Sequence, residues 1–373
     1  MKLEIELLAQ DGRARTGVVR TARGSFQTPI FMPVGTRGAV RTLTTEDLER
    51  LSPEIVLGNT YHLMLRPGSE LVNQLGGLHG FMGWNQHLLT DSGGFQIFSL
   101  APKVDDEGAK FRSVYDGSYH HLSPEKAATV QAELGADIQM ILDVCPPLPS
   151  EPHVIRQAVE RSILWARRGR TTFLHEQATW QEQGRDQAQF GIVQGGIDPG
   201  LRVESAKRTI EIGFDGYAVG GLSVGETRHQ MVEALGATMD ELPVSQPRYF
   251  MGLGDPVGLV EAVNLGVDMF DCVLPTRLAR HGTLLTTAGR LNIRNAQYRH
   301  DDGPLDPNFN GDQTGRYSRA YLRHLLTNDE PTAATILTRH NVAWLMNLVK
   351  QMREAIRAGR FAALRQEILE VWA

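Results

Sequence analysis

Residues 268–280 read Asp-Met-Phe-Asp-Cys-Val-Leu-Pro-Thr-Arg-Leu-Ala-Arg. The stretch opens as a short apolar run, sets the carboxylate of Asp271 inside it, turns at Pro275 and leaves through Arg277 and Arg280. An acid in an apolar strand is costly unless it is paired or used. Two arginines spaced three apart just beyond it suit an anion, and the phosphate backbone of a nucleic acid is a common one. Seven other runs of the same kind precede it, and their spacing decides the fold.

The eight runs are residues 30–34, 55–57, 88–90, 138–142, 190–193, 216–219, 249–251 and 269–273, each followed by glycine or polar residues and then a helix-like stretch. Ser123-Pro124-Glu125 is an N-cap with proline at the first helical position, and Ala127, Ala128, Val130 and Leu134 continue at helical spacing. Asp198-Pro199 and Gly225-Glu226-Thr227 are weaker starts. Strands alternating with helices imply parallel sheet, and eight such units predict a (β/α)8 TIM barrel. A doubly wound open sheet remains the alternative, because the pattern alone does not show closure. Ahead of the barrel, residues 2–8 and 14–20 flank Asp11-Gly12 and predict a β-hairpin. Behind it, from Ser318 to Trp372, Leu322, Leu325 and Leu326, then Leu345, Leu348, Val349 and Met352, give helical core stripes. The expected organisation is an N-terminal hairpin (1–25), a barrel core (26–280) and a C-terminal helical subdomain (281–373).

Composition limits the function classes. Hydrophobic content of 41% and charged content of 22% are those of a globular protein, and no apolar run is long enough to span a membrane. The N-terminus alternates polar and apolar residues and carries acids, so it reads as a strand and not as a signal peptide. The only two cysteines, Cys145 and Cys272, each lie within two residues of an aspartate at the end of an apolar run. They are expected to be buried thiols in a reducing cytoplasm. A net charge of -5 argues against general coating of nucleic acid but leaves room for a local basic patch.

Polar residues recur where the runs end. Asp91, Asp143, Gln194, Gly220-Gly221 and Asp271 each close a different run, and in a (β/α)8 barrel all those ends converge on one face. Any single one could be a helix cap after a strand; five together point to a site. Asp91-Ser92-Gly93-Gly94-Phe95-Gln96 puts a carboxylate before a glycine turn that lets backbone approach a flat ligand. Gln194 can both donate and accept, Gly220-Gly221-Leu222 can lend backbone groups, and Met251 can pack on a ring. Acid, amide and backbone together match the mixed edge of a purine-like base. Asp91 and Asp271 suggest one nucleophile and one general acid/base for a glycosidic substitution, unless one merely orients the other or caps a helix.

These residues carry a family resemblance. Phe31 to Thr36 (FMPVGT), Leu57 to Leu63 (LGNTYHL), Asp91 to Gln96, Gly191 to Gly195 (GIVQG), Phe214 to Leu222 (FDGYAVGGL) and Asp271 to Arg277 (DCVLPTR) together resemble the bacterial tRNA-guanine transglycosylases, also termed the queuine tRNA-ribosyltransferase family. The resemblance runs over nearly the whole length. It implies that Asp271 attacks the ribose anomeric carbon at the anticodon wobble position and displaces guanine, with Asp91 as general acid/base. It implies a base pocket of Ser92, Gly93, Gly94, Phe95, Asp143, Gln194, Gly220, Gly221 and Leu222, with Met251 stacked on the base. Gly252, Asp255, Thr276, Arg277 and Arg280 would meet the anticodon loop of the tRNA. The incoming free base would be 7-aminomethyl-7-deazaguanine (preQ1), on the way to queuosine, and Val224, where eukaryotic relatives tend to carry glycine, suits it over queuine. A cytoplasmic homodimer is also implied. The alternatives are a non-catalytic RNA-binding or partner subunit derived from such an enzyme, or base exchange on a free nucleoside or a different RNA.

One element departs from the family pattern. Family members usually hold a structural zinc through three cysteines and a histidine; aligned here from Pro304 and from Ser318, the cysteine positions are Phe309, Gly311 and Thr314, and only His340 remains. One imidazole cannot complete a four-coordinate site. A structural zinc contributes on the order of 10 kcal/mol to folding, so packing by Phe309 and Tyr317 is expected in its place. From Arg277 to Arg323 the segment keeps eight arginines and no lysine against Asp301, Asp302, Asp306 and Asp312, the composition of a phosphate-facing patch. Metal analysis of the purified protein is expected to find no zinc, and one zinc per chain would overturn that expectation.

Overall fold

The computed structural model describes residues 3–100 and 102–373. All eight runs are strands of one closed parallel barrel: β1 (Ile30–Gly35), β2 (Ile55–Gly58), β3 (His87–Thr90), β4 (Ile138–Met140), β5 (Ala188–Val193), β6 (Gly216–Val219), β7 (Arg248–Phe250) and β8 (Met269–Cys272). Each strand pairs with its successor, and β8 pairs with β1 through Met269 and Ile30, Phe270 and Phe31, Asp271 and Met32, and Cys272 and Pro33. This last ladder excludes the open sheet. The first seven strands are buried along their whole length, as expected for parallel strands covered on both faces.

The helix signals act as local chemistry requires. Ser123 Oγ accepts from Lys126 N to start Pro124–Leu134, and Asp198 accepts from Leu201 N to start Pro199–Ile212. Thr227 and Gln230 form a reciprocal capping box at the head of Arg228–Glu241.

At the N-terminus the expected hairpin gains a third strand. Glu4–Asp11 and Ala14–Thr21 pair around Gly12, whose φ is +62°, and Gly24–Thr28 adds to the second strand. Residues 1 and 2, with which the expected first strand begins, lie outside the described residues. Between β3 and β4 the chain also forms a three-stranded antiparallel sheet (Lys103–Asp105, Gly108–Arg112, Tyr119–Leu122). It lies outside the expected elements, although Ala109 and Phe111 alternate with Lys110 and Arg112 and Asp116-Gly117 is a favoured turn pair before its last strand.

The C-terminal stripes belong to helices Arg319–Thr327 and Pro331–Arg357. The longer helix buries Trp344, Leu345, Leu348, Val349 and Met352 in one core with strands β1 and β8 and the N-terminal sheet. Each fully buried large apolar side chain contributes about 1.5–3 kcal/mol.

At the foot of β8, Asp268 is fully buried and held by Arg15 of the N-terminal sheet, Nε to Oδ1 at 2.9 Å and Nη2 to Oδ2 at 2.5 Å. Arg15 also donates to the carbonyls of Val244 and Gln246, and the backbone N of Arg248 donates to Asp268 Oδ2. One ion pair thus ties the N-terminal sheet to β7 and β8. Removing one partner of a buried pair strands the other, so Arg15→Met is expected to lower the unfolding free energy by about 3–5 kcal/mol. Arg20→Met, which breaks the exposed Arg20–Glu6 pair, is expected to cost less than about 1 kcal/mol. Denaturant titration of both variants checks the contrast.

Candidate active site

Barrel closure brings the strand-end residues to one rim. Asp91, just after β3, is clamped from the loop that follows β2: Asn59 Nδ2 donates to Oδ2 at 2.5 Å and Thr60 N to Oδ1 at 2.8 Å. Gly93 N adds a third donor to Oδ1 at 3.1 Å. Burial nevertheless outweighs these donors and, with the charges of Asp271 and Asp143, pushes the Asp91 carboxyl up to about 7. At neutral pH Asp91 is therefore available in both protonation states. Asn59 also caps the helix Thr60–Leu65 by accepting from His62 N. It was not singled out from the sequence, although it sits inside the quoted LGNTYHL motif.

Asp271, within β8, is held differently. Its Oδ1 accepts from Tyr249 Oη at 2.5 Å and from Gly252 N at 2.7 Å. Its Oδ2 has no hydrogen-bond partner among the described residues. Burial raises its carboxyl above the usual range, opposed by the two donors to Oδ1. Tyr249 is the second such residue after Asn59; as the first residue of the apolar run 249–251 it has the signature of core, and its ring is buried while its hydroxyl reaches the site.

The third acid lies deeper. Asp143 accepts from Gln194 Nε2 at 2.6 Å and from Ser92 Oγ at 3.3 Å, and burial pushes its carboxyl up to about 6. Gln194 is 1% exposed and rests against Gly220 and Gly221. A Cβ at Gly221 would stand 2.2 Å from Gln194 Oε1, one at Gly220 2.7 Å from Nε2, and Gly221 has a φ of +66°. Glycine at both positions lets backbone lie flat against the amide. Ser92, Gly93, Gly94 and Leu222 are buried around this floor, Met251 is half-buried at the end of β7, and Phe95 is 60% exposed at the rim. Val224 and Ser223 donate their backbone N–H groups to the Glu226 carboxylate, which shapes the loop after β6. An acid–amide pair on a glycine floor, between two differently held carboxylates, can bind a planar heterocycle by its edge while chemistry occurs at its rim.

The residues expected to meet RNA divide. Arg277 is exposed and Arg280 half-buried on the helix Leu274–Arg280, and neither has an acidic partner among the described residues. Burial together with Arg41 and Arg277 lowers the Arg280 pKa, which marks a cluster of like charges. Gly252 gives its N–H to Asp271. Asp255 caps the helix Pro256–Asn264 and pairs with Arg228 at 2.6 Å, and Thr276 is buried with its hydroxyl on the Val273 carbonyl. Both of these side chains are thus taken up in holding the fold. Within the arginine-rich segment, Arg319 pairs with Asp301 and Arg323 bonds the Asn295 carbonyl.

The positions aligned with zinc ligands do converge, but on different chemistry. His340 is fully buried, with Nε2 2.9 Å from the Leu285 carbonyl and Nδ1 3.3 Å from Thr314 Oγ1. The Phe309 ring lies edge-on to it at 5.6 Å and also covers Gly311. One nitrogen donor, already bonded, does not fit a four-coordinate zinc. Phe309 packs on His340, and Tyr317 packs against the apolar cluster that contains Leu284, Leu305 and Leu322 while its ring stacks on Tyr321. The neighbours of His340 complete the tie: Arg339 bonds the buried Asp312, and Asn341 joins Leu285 N to the carbonyls of Pro275 and Thr283.

The two free cysteines, expected to be buried, are half-buried as residues, and burial of the sulfur raises each thiol to about 12. Among the described residues no helix is long and apolar enough to cross a membrane.

A raised Asp91 pKa has a sign. A folded-state value of about 7 against an ordinary 3.8 means that Asp91 favours the fold below about pH 4, and that this contribution is lost as pH rises through 7. Thermal melts of Asp91→Asn and wild type are expected to diverge in the variant's favour from pH 4 to 7 and to run parallel above. A gap that shrinks with pH would contradict the burial of this group.

A sequence model of the family described as TGT, Queuine tRNA-ribosyltransferase, matches residues 10–373. The queuine tRNA-ribosyltransferase of Halothermothrix orenii is 48% identical over 373 residues, which covers 99% of this chain and 98% of that protein. That of Natranaerobius thermophilus is 47% identical over 364 residues, 97% of this chain and 96% of that protein. That of Solidesulfovibrio magneticus is 49% identical over 360 residues, 96% and 95% respectively.

Proposed function

Because the chain belongs to the queuine tRNA-ribosyltransferase family, we infer that it is a tRNA-guanine transglycosylase, which replaces guanine at the anticodon wobble position with a free 7-deazaguanine in queuosine biosynthesis. The observation that carries the mechanism is the unequal treatment of two carboxylates on one rim. Asp271 has one oxygen fixed by Tyr249 and Gly252 and the other without a partner among the described residues, the arrangement of an aimed nucleophile. Asp91 has a carboxyl near 7 and three donors around it, the arrangement of a group that gives and takes a proton.

In this reading Asp271 Oδ2 attacks the ribose anomeric carbon, the glycosidic bond to guanine breaks with its electron pair leaving on the base, and Asp91 supplies the proton. The incoming base gives a proton back to Asp91 as it displaces the aspartyl ester and restores the Asp271 carboxylate. Asp143, Gln194 and the backbone at Gly221 and Leu222 read the edge of the base, Ser92, Gly93, Gly94, Phe95 and Gly220 wall the pocket, and Met251 lies on the base face. Val224 supports 7-aminomethyl-7-deazaguanine over the bulkier queuine. Arg277 and Arg280 face the anticodon loop. Cytoplasmic residence and a homodimer complete the proposal on the strength of the family resemblance. No zinc takes part, since the residues around His340 do not fit one.

Labelled guanine incubated with tRNA and the purified protein is expected to enter the RNA. Asp271→Asn should abolish incorporation and any RNA adduct that survives denaturing electrophoresis. Wild type without exchange under the same conditions would refute the activity.

A further inference from the structure

A second group of cations stands on the rim, away from Arg277 and Arg280, and the active-site chemistry does not use it. Arg37 follows β1, and Arg66 closes the helix Thr60–Leu65. Both guanidinium groups lie over one ring, that of Tyr115 in the turn between the last two strands of the sheet inserted between β3 and β4, at 5.4 and 4.8 Å from its centre. The Tyr115 hydroxyl shares a 2.8 Å hydrogen bond with His62 Nδ1, which fixes the ring to the same short helix whose first residue clamps Asp91.

Neither arginine has an acidic partner among the described residues, and both are exposed. Asp116, the residue after Tyr115, turns onto the Ser118 hydroxyl and N–H. The ring quadrupole holds each cation over its face, but two like charges on one ring repel. An anion bridging them would remove that repulsion and find its donors already oriented. Arginine on an aromatic face leaves its N–H edge outward, and that edge matches phosphate oxygens.

We propose that Arg37, Arg66 and Tyr115 form a second RNA-docking element, which grips backbone phosphate of the substrate RNA on the β1–β2 side of the rim, next along the barrel from the arginines that follow β8. It rests on the reading of the chain as a base-exchange enzyme on tRNA. The two arginine groups follow the successive strands β8, β1 and β2, and Asp271 and Asp91 stand at the two ends of that arc, in β8 and after β3, so an RNA strand held at both groups runs along the part of the rim that carries the two acids. Arg41, close to Arg280, extends the β8 group toward β1 and narrows the gap between them.

The test is guanine exchange and direct binding with an anticodon stem-loop RNA, comparing wild type with Arg37→Ala/Arg66→Ala and with Tyr115→Leu. The double variant is expected to raise KM for the RNA by about tenfold or more, to leave KM for guanine within twofold, and to flatten the slope of binding against salt by about two contacts. Tyr115→Leu should raise the RNA KM in the same direction, because the cations lose their platform, whereas Tyr115→Phe, which keeps the ring, should move it less. Wild-type exchange with an unchanged RNA KM and salt slope in the double variant would overturn the docking element and leave the proposed activity standing. Absence of exchange in wild type would refute the activity, and the salt slope of stem-loop binding would still decide the docking element. Matching circular dichroism spectra exclude misfolding, and Arg37→Gln alone, with about half the slope change, gives an independent reading.

Discussion

The pairing of β8 with β1 is the constraint on which the molecule depends. Without it Asp271 would sit at a sheet edge; with it, the acid from the last strand and the acid from the third share one rim. The same strand is fastened at its foot, where Arg15 grips Asp268 three residues before Asp271. A strand pinned at one end by a buried bidentate ion pair and along its length by a parallel ladder has little freedom to tilt. Geometry at the top of β8 is thus set by packing at the bottom.

That rigidity lets environment sort three aspartates with one intrinsic chemistry. Burial raises all three, and the differences come from the donors and the charges around each. Asp91 feels two neighbouring acids and is raised to about 7 in spite of its three donors. Asp143 shares its oxygens with an amide and a hydroxyl. Asp271 receives a phenol and a backbone N–H on one oxygen alone. Residues outside the acids orient these carboxylates, above all Asn59 and Tyr249, each placed by a strand adjacent to the one that carries the acid it serves.

The barrel and its rim were legible because their signals are local: short apolar runs at regular intervals, each closed by a polar residue. Asp91, Asp143, Gln194 and Asp271 could be read as strand ends without knowledge of any contact. Asn59 and Tyr249 could not, since their roles exist only across neighbouring strands, and Tyr249 within a Tyr-Phe-Met run carries the signature of a core residue. The inserted sheet with Tyr115 was illegible for a related reason. Its strands are short, so the alternation of Ala109 and Phe111 with Lys110 and Arg112 ends after one cycle, and the value of Tyr115 arises from two arginines about 50 and 80 residues away in the chain. The third N-terminal strand shows the same limit on a smaller scale. Asp255 and Thr276 illustrate the converse, since residues in informative motifs turn out to hold the backbone that presents their neighbours.

The aromatic plug around His340 has a consequence for oxidative chemistry. A cluster of zinc-bound thiolates is a target for peroxide, and its oxidation releases metal and fold together. Here the same three positions carry a phenyl ring, a hydrogen atom and a hydroxyl, and none offers sulfur. The two cysteines elsewhere have thiols raised to about 12, so at neutral pH both stay protonated and poorly nucleophilic. The chain therefore presents almost no thiolate to an oxidant. Its structure is held at that corner by a carbonyl, a hydroxyl, an ion pair and a ring, groups on which cellular peroxide has little purchase.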